Sequence, residues 1–353
     1  MPMPTTIAAA KAPAAPVSPV DPNRDRIMEL AYGFRAAKVL LSAVELDVFT
    51  VLAERSRDLE SLTTTIGISQ RSARDFFDAL VALGLIERDA DGCYHNTAES
   101  AFYLDRRKRT YIGGELAYLN ARAYPHWHLL TTALKTGRPQ SEAGDADYFP
   151  TLHADQAKLE LFANGMTAGA TSAGQAIAAR FPWHQYRTLV DVGAAQGSLL
   201  VQIAKAHPHL AGGGFDLPTM QPLFDRHAQE HGLDHRLQFH AGDFLQDPLP
   251  SADVLIFGRV LHNWDLATKI QLLRKAYDAL PAGGAIIVFE RLIDDERRRN
   301  ANGLLASLHM LIMTEGGFDF SAADCMSWMR DAGFRDLRVE PLTGAHSMMV
   351  GIK

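Results

Sequence analysis

Only two cysteines occur in 353 residues, Cys93 and Cys325, far apart and in no metal-like spacing. That pattern excludes a disulfide scaffold and a thiolate zinc module, and reduced thiols fit a cytoplasmic protein. No run approaches the ~18 consecutive apolar residues that a membrane span requires. Positive charge is not in excess: 35 Lys and Arg against 41 Asp and Glu leave a net charge of −6, which argues against nucleic acid as the main partner. Residues 1–22 are rich in Ala and Pro and lack both a charged start and a continuous apolar segment. They read as a disordered tail, and a signal peptide is not expected. What remains is ordinary for a globular chain, 47% hydrophobic and 22% charged, and long enough for two domains with their own cores. No internal repeat is visible.

Helical periodicity comes first along the chain. Between residues 25 and 49, Ile27, Leu30, Ala31, Phe34, Ala37, Leu40, Leu41 and Val44 recur at helical spacing. Residues 59–65 and 69–83 read as helices and 85–96 as a small hairpin, with Ser69 as N-cap and Gly84 ending its helix. This helix–turn–helix–wing order resembles a winged helix. A DNA-reading helix needs net positive charge, and here Arg71 and Arg74 are offset by Asp75 and Asp78. Residues 23–110 therefore read as a dimerisation or scaffold domain, followed by connecting helices over 111–180 that break at a Gly/Pro/Asp-rich loop near 136–150.

From Arg187 the rhythm changes. Candidate strands at 188–192, 213–216, 237–241, 254–258, 285–290, 337–341 and 347–352 are mostly separated by helical patterns. The expected fold is α/β: a doubly wound, mostly parallel sheet over 181–353, covered on both faces. Ligands in such sheets bind at the carboxyl ends of the strands, where Asp191, Asp216, Asp243, Gly258 and Glu290 fall.

The sharpest signal is Leu-Val-Asp-Val-Gly-Ala-Ala-Gln-Gly at 189–197. An apolar strand ends in an acidic residue, turns on Gly193 and passes Gly197 into a helix, so bare backbone N–H groups can approach a ligand. Dinucleotide fingerprints want glycine where this chain has Ala195. About twenty residues on, Asp216 ends a second strand and is placed to accept both hydroxyls of a ribose. Gly212–Gly214 read as a lead-in to that strand, since no helix start follows. Asp243 with Phe244 offers a carboxylate for an amino group beside a ring that can stack on adenine. Arg259-Val-Leu-His262-Asn-Trp264-Asp265 follows the fourth strand, placing an imidazole as a base at the ligand edge. Glu290, ending the fifth strand, can hold that imidazole by accepting its N–H.

Four motifs in this order resemble the two-domain small-molecule methyltransferases that use S-adenosylmethionine, the group of plant caffeate and flavonoid and bacterial natural-product O-methyltransferases: Asp-Val-Gly-x-x-x-Gly at 191–197, Phe-Asp-Leu-Pro at 215–218, Gly-Asp-Phe at 242–244 and Leu-His-Asn-Trp-Asp at 261–265. The resemblance runs from about Arg26 to the C-terminus. It implies a Rossmann-like catalytic domain, an N-terminal dimerisation domain, a homodimer, a small-molecule substrate and no nucleic-acid or membrane partner. It further implies that Gly193 and the backbone around it contact the methionine end of the cofactor, Asp216 the ribose, Asp243 with Phe244 the adenine, and Trp264 walls the adenosine part, with Asp191, Gly197, Leu217 and Arg259 also in the cofactor site. His262 matches the catalytic base and Glu290 the first acid that orients it. The family's second acid sits in a Gly-Gly-x-Glu-Arg stretch; here Gly316-Gly317-Phe318-Asp319-Phe320 offers the shorter Asp319 and no arginine.

A phenol with pKa near ~10 is ionised in only about one molecule in a thousand at pH 7. A positioned base removes that handicap and typically contributes ~10²–10⁴-fold. The acceptor pocket is expected between the helical middle segment and the sheet edge, at Trp127, Phe162, Met166, His309, Met310 and Met313. His309 reads as a hydrogen-bonding or packing residue and not as a metal ligand with His262, because no third ligand is evident, and no metal is expected. His227-Ala-Gln-Glu230-His231 matches an inverted zinc-peptidase pattern, but it falls on a helix read as solvent-facing and is set aside. The run 294–299, Asp-Asp-Glu-Arg-Arg-Arg, reads as a solvated, self-paired turn. Two alternatives stand beside O-methylation: C- or S-methylation of a small keto acid or thioether on the same scaffold, and a non-catalytic cofactor-binding DNA regulator.

Overall fold

The computed structural model describes residues 23–141, 148–344 and 346–353. The expected tail at 1–22 and the middle of the loop near 136–150 lie outside the described residues.

The N-terminal helix spans Asp25–Glu45 and stops earlier than the periodicity predicts. Asp47 takes a left-handed φ of 62°, and a new short helix, Val48–Leu52, starts after it. An ion pair from Arg106 to the Asp47 carboxylate at 2.9 Å ties this corner down. Ile27, Leu30 and Phe34, on the first half of the long helix, are exposed. Helices Leu59–Ile66 and Gln70–Ala82 follow, capped by Asp58 and Ser69. Strands β1 (Ile86–Arg88) and β2 (Tyr94–Asn96) then pair antiparallel as the wing. Phe49, Leu62, Phe77, Leu80, Ile86 and Tyr94 close a separate small core.

Seven strands build the main sheet: β3 (Thr188–Val192), β4 (Ala211–Asp216), β5 (Leu237–Ala241), β6 (Val254–Gly258), β7 (Ala285–Arg291), β8 (Arg335–Pro341) and β9 (His346–Ile352). Their spatial order is β5-β4-β3-β6-β7-β9-β8. The first five run parallel, and β9 runs antiparallel to both β7 and β8. Strand order reverses between β3 and β6, which opens the crevice where ligands settle in such sheets. Gly212, Gly213 and Gly214 are strand residues paired on both sides, so the expected lead-in is itself part of β4. Helices cover both faces, and the two faces of the sheet nucleate two large apolar clusters. The 25-residue helix Gln156–Arg180 packs against the helix that follows β3 and carries the middle segment to the sheet.

Candidate active site

Two cavities meet at the carboxyl ends of β3, β4, β6 and β7. The first is lined by Asp191, Gly193, Asp216, Leu217, Asp243, Phe244, Arg259 and Trp264, which are eight of the nine residues expected around a cofactor. Gly193 has φ 75°, and a Cβ there would stand 2.7 Å from Val260, so only glycine lets the loop lie this close to the floor. Ala195, where a dinucleotide loop has glycine, is itself left-handed at φ 49°. Its N–H donates to Asp216 Oδ2 at 2.8 Å, which offsets the ~1–2 kcal/mol that such a backbone costs an L-residue. The other oxygen of Asp216 accepts the Leu217 N–H at 2.8 Å. Burial pushes the Asp216 carboxyl up to about 6, against the pull of those two N–H groups. Asp191 is buried, and burial first and Asp216 second raise its pKa far above the ordinary range.

Aromatic walls complete this cavity. Trp264 stands edge-to-face with Phe244 at 5.8 Å and near-parallel to Phe149 at 5.7 Å. Asp243 is held by its own loop, accepting the Leu245 N–H at 2.8 Å. A carboxylate for the ribose hydroxyls, a second carboxylate beside a ring for adenine, and glycine-lined backbone at the sulfonium end match the donor set that S-adenosylmethionine needs. Gly197 is the ninth residue and does not line the cavity: at φ 81° it starts the helix Ser198–Ala206, and a Cβ there would strike Phe224 at 2.6 Å. Its part is to fix the loop-to-helix turn.

The second cavity, about 500 Å³, is lined by Trp127, His262, His309 and Met310 among others, with Arg259 shared between the two. His262 sits on a short helical turn after β6 and is buried. Its Nδ1 lies 3.0 Å from Glu290 Oε2 and 3.5 Å from Asp319 Oδ1, and its backbone N–H donates to Glu290 Oε1 at 3.3 Å. Glu290 Oε2 and both Asp319 oxygens lack an aligned hydrogen bond, so their hold on the ring is Coulombic. Burial lowers the imidazole pKa, but the Glu290 charge and the nearness of Asp319 outweigh it and raise the value to about 9. The shorter acid at 319 thus reaches the same nitrogen as Glu290.

A residue missed in the sequence stands behind the two acids. Lys269 is completely buried, donates to the Trp264 carbonyl, and lies 3.3 Å over the Phe318 ring. Burial brings its ammonium down to about 8 against the attraction of Glu290 and Asp319. Arg291 and His346 were missed as well, and both line the second cavity. His309 is pushed down to about 4 by burial first and then by the charges of His262, Arg259 and Arg291, so it is neutral. Its ring is parallel to that of Trp127, with centroids 6.4 Å apart.

Three of the expected acceptor residues lie elsewhere. Phe162 and Met166, on the long Gln156–Arg180 helix, line the first cavity instead of the second. Met313 lines neither: it is buried in an apolar cluster with Leu152, Leu159 and Met220. His227, read as solvent-facing, is half-buried with Nε2 3.3 Å from Ser198 Oγ. With Glu230 and His231 it gathers ligand-type atoms within 4.8 Å of one another. No helix among the described residues is long and apolar enough to cross a membrane.

Comparison with known proteins agrees with this geometry. The O-methyltransferase dimerisation domain family matches residues 28–106, and the O-methyltransferase domain family matches residues 127–335. The chain is 40% identical over 329 residues to the tetracenomycin polyketide synthesis 8-O-methyl transferase TcmO of Streptomyces glaucescens, covering 93% of this chain and 96% of that protein. It is 34% identical to the N,N-dimethyltransferase OxyT of Streptomyces rimosus, covering 92% and 94%. The crystal structure of human N-acetylserotonin methyltransferase in complex with S-adenosylmethionine superposes with a TM-score of 0.88 at 27% identity, covering 96% of this chain and 99% of that one.

Proposed function

The chain belongs to the O-methyltransferase family, uses S-adenosylmethionine, and, we propose, methylates an aromatic hydroxyl of a small molecule with His262 as general base. The observation that carries the choice of oxygen is the buried pair of carboxylates on His262 Nδ1. An amine or thioether acceptor needs no base this strong, whereas a phenol of pKa near ~10 is well matched by an imidazole raised to about 9.

The cofactor supplies an activated methyl on a sulfonium. Asp216 and Asp243 would hold its ribose and adenine, Phe244 and Trp264 would wall the adenosine part, and Asp191, Gly193 and Arg259 would border the methionine end. The charges of Glu290 and Asp319 beside Nδ1 would favour a proton on that nitrogen of His262, leaving Nε2 to take the phenolic proton. Alignment of oxygen, methyl and sulfur is worth up to roughly 7–11 kcal/mol when it is complete.

We assign residues 23–110 to dimerisation, 111–180 to the connecting wall of the acceptor cavity and 181–353 to cofactor binding. Ile27, Leu30 and Phe34, 69%, 76% and 56% exposed on one helix, support a homodimer as the state that covers them. Free Cys93 and buried Cys325 fit a reducing, cytoplasmic setting. The deciding assay offers labelled S-adenosylmethionine with hydroxynaphthalenes, aryl amines and thioethers. Label on the hydroxyarenes is the expected result; label on the amines or thioethers alone overturns O-methylation.

A further inference from the structure

The acceptor-side cavity carries more positive charge than methyl transfer needs. Its charged lining is Arg259, Arg291 and His262, with His309 and His346 neutral, against one carboxylate, Asp319. That carboxylate is 2% exposed and lies 3.5 Å from His262, so its charge is shared with the imidazole; burial and the Arg259 charge still outweigh the pull of Glu115, Asp319 and Glu290 on Arg291. Methyl-donor binding does not account for Arg291, which lines this cavity and not the neighbouring one.

Arg291 is built into its place. It ends β7 directly across from His346 on β9. Its Nε donates to His346 Nε2 at 3.2 Å, a bond that requires a neutral imidazole. Burial first, then the charges of Arg291 and Arg259, keep His346 neutral by lowering it to about 4. One terminal nitrogen of Arg291 stands 3.5 Å from Glu115, a long pairing that steadies the fork from outside. A guanidinium has five N–H donors in a rigid plane, so these two contacts fix its orientation and leave others for the cavity. Arg259 shares the wall, and its Nε is buried without a partner. Two guanidiniums facing one partly desolvated space repel each other, and an anion between them relieves that repulsion.

We infer that this wall is an anion subsite and that the acceptor is an aromatic hydroxy acid, its carboxylate held by Arg291 beside His346 while its hydroxyl meets His262. The inference rests on the O-methyltransferase reading of the same cavity. The hydroxyl oxygen gains the methyl as the S–C bond breaks, its proton passes to His262, and the carboxylate is unchanged. A cavity of about 500 Å³ accommodates more than one ring.

The test compares 3-hydroxy-2-naphthoate, its methyl ester and 2-naphthol. Binding is measured calorimetrically to enzyme loaded with S-adenosylhomocysteine, and kcat/KM by methyl transfer. The acid is expected to bind at least ~10-fold more tightly than the ester. In Arg291→Met the ratio of acid to ester falls to near one through loss of acid binding, and Arg291→Lys restores part of it. Equal binding of acid and ester to the wild type, or equal weakening of both in Arg291→Met, overturns the subsite. Should Arg291→Met fail to fold, the wild-type ratio with Arg291→Lys decides. Arg291-dependent binding of the acid without methylation of any compound would contradict the O-methyltransferase reading while leaving the subsite standing.

Discussion

The imidazole Nδ1 of His262 lies 3.0 Å from Glu290 Oε2, on a strand end 28 residues away, and Glu290 is entirely buried. Asp319 approaches the same nitrogen at 3.5 Å. A ring with two buried carboxylates beside one nitrogen is a stronger base than free histidine, and that single relationship organises the chemistry expected of the site.

Replacing His262 with Ala removes the base and leaves the first cavity intact, since His262 does not line it. Turnover of a phenolic acceptor is expected to fall by ~10²–10⁴ while S-adenosylmethionine affinity stays within about threefold, as read by calorimetry.

With a pKa raised to about 9, His262 is mostly protonated at pH 7, so kcat/KM for a phenol should rise with pH until it levels near pH 9. Asp319→Asn removes one of the charges that raise it, and the midpoint should move down. The same shift affects stability. A histidine whose folded value is raised above 6.5 stabilises the fold fully below that pH, and the contribution is lost as pH rises through about 9. Thermal melts of wild type against His262→Gln should therefore converge between pH 6.5 and 9.

Lys269 does not line the acceptor cavity, so its effect on the reaction is expected through its neighbours. Lys269→Met keeps most of the buried volume but deprives Glu290 and Asp319 of a cation, so His262 should hold its proton more tightly. The midpoint of the rising limb of the pH–rate profile is expected to move up; a purely structural lysine would change the melting temperature and leave the profile where it is.

Asp216 is pushed up to about 6 by burial, so its charge is lost in mildly acidic solution. Cofactor affinity should weaken as pH falls through 6, and Asp216→Asn should flatten that dependence while weakening binding at least ~10-fold at pH 7.5. A titration of affinity against pH in both proteins checks the two statements together.

Gly193→Ala places a methyl 2.7 Å from Val260 at a backbone φ of 75°. Strain of roughly 1–3 kcal/mol is expected there. It should appear as a lower melting temperature and weaker cofactor binding, whereas Gly84→Ala, at φ 70° with nothing near its Cβ, should affect stability alone.

Residues at strand ends were legible in the sequence because the chain's own rhythm places them. Asp216, Asp243, His262 and Glu290 each follow an apolar run, and a parallel sheet brings such tips to one edge. Asp319 was legible only through a family motif, and its shorter side chain still reaches His262. Arg291 and His346 were not legible. They meet through the antiparallel pairing of β7 and β9, and nothing local couples positions 55 residues apart. Lys269 was hidden for another reason: a lysine in an amphipathic helix reads as solvated, and here Phe318 covers it. Met310 and Met313 were both expected at the acceptor cavity, but three residues of turn separate a cavity-lining face from one buried against Leu152 and Leu159. Phe162 and Met166 were placed in the wrong cavity, because the long helix that carries them lines the first cavity and contributes nothing to the second.

The most direct test of His262 as the base is a series of hydroxyarenes of decreasing pKa, assayed with wild type and His262→Asn. The variant is expected to lose ~10²–10⁴ in kcat on a phenol of pKa near ~10 and less than about tenfold on one near ~7, which arrives already ionised. A loss of the same size across the whole series, or near-normal turnover of the weakest acid, would contradict proton removal by His262.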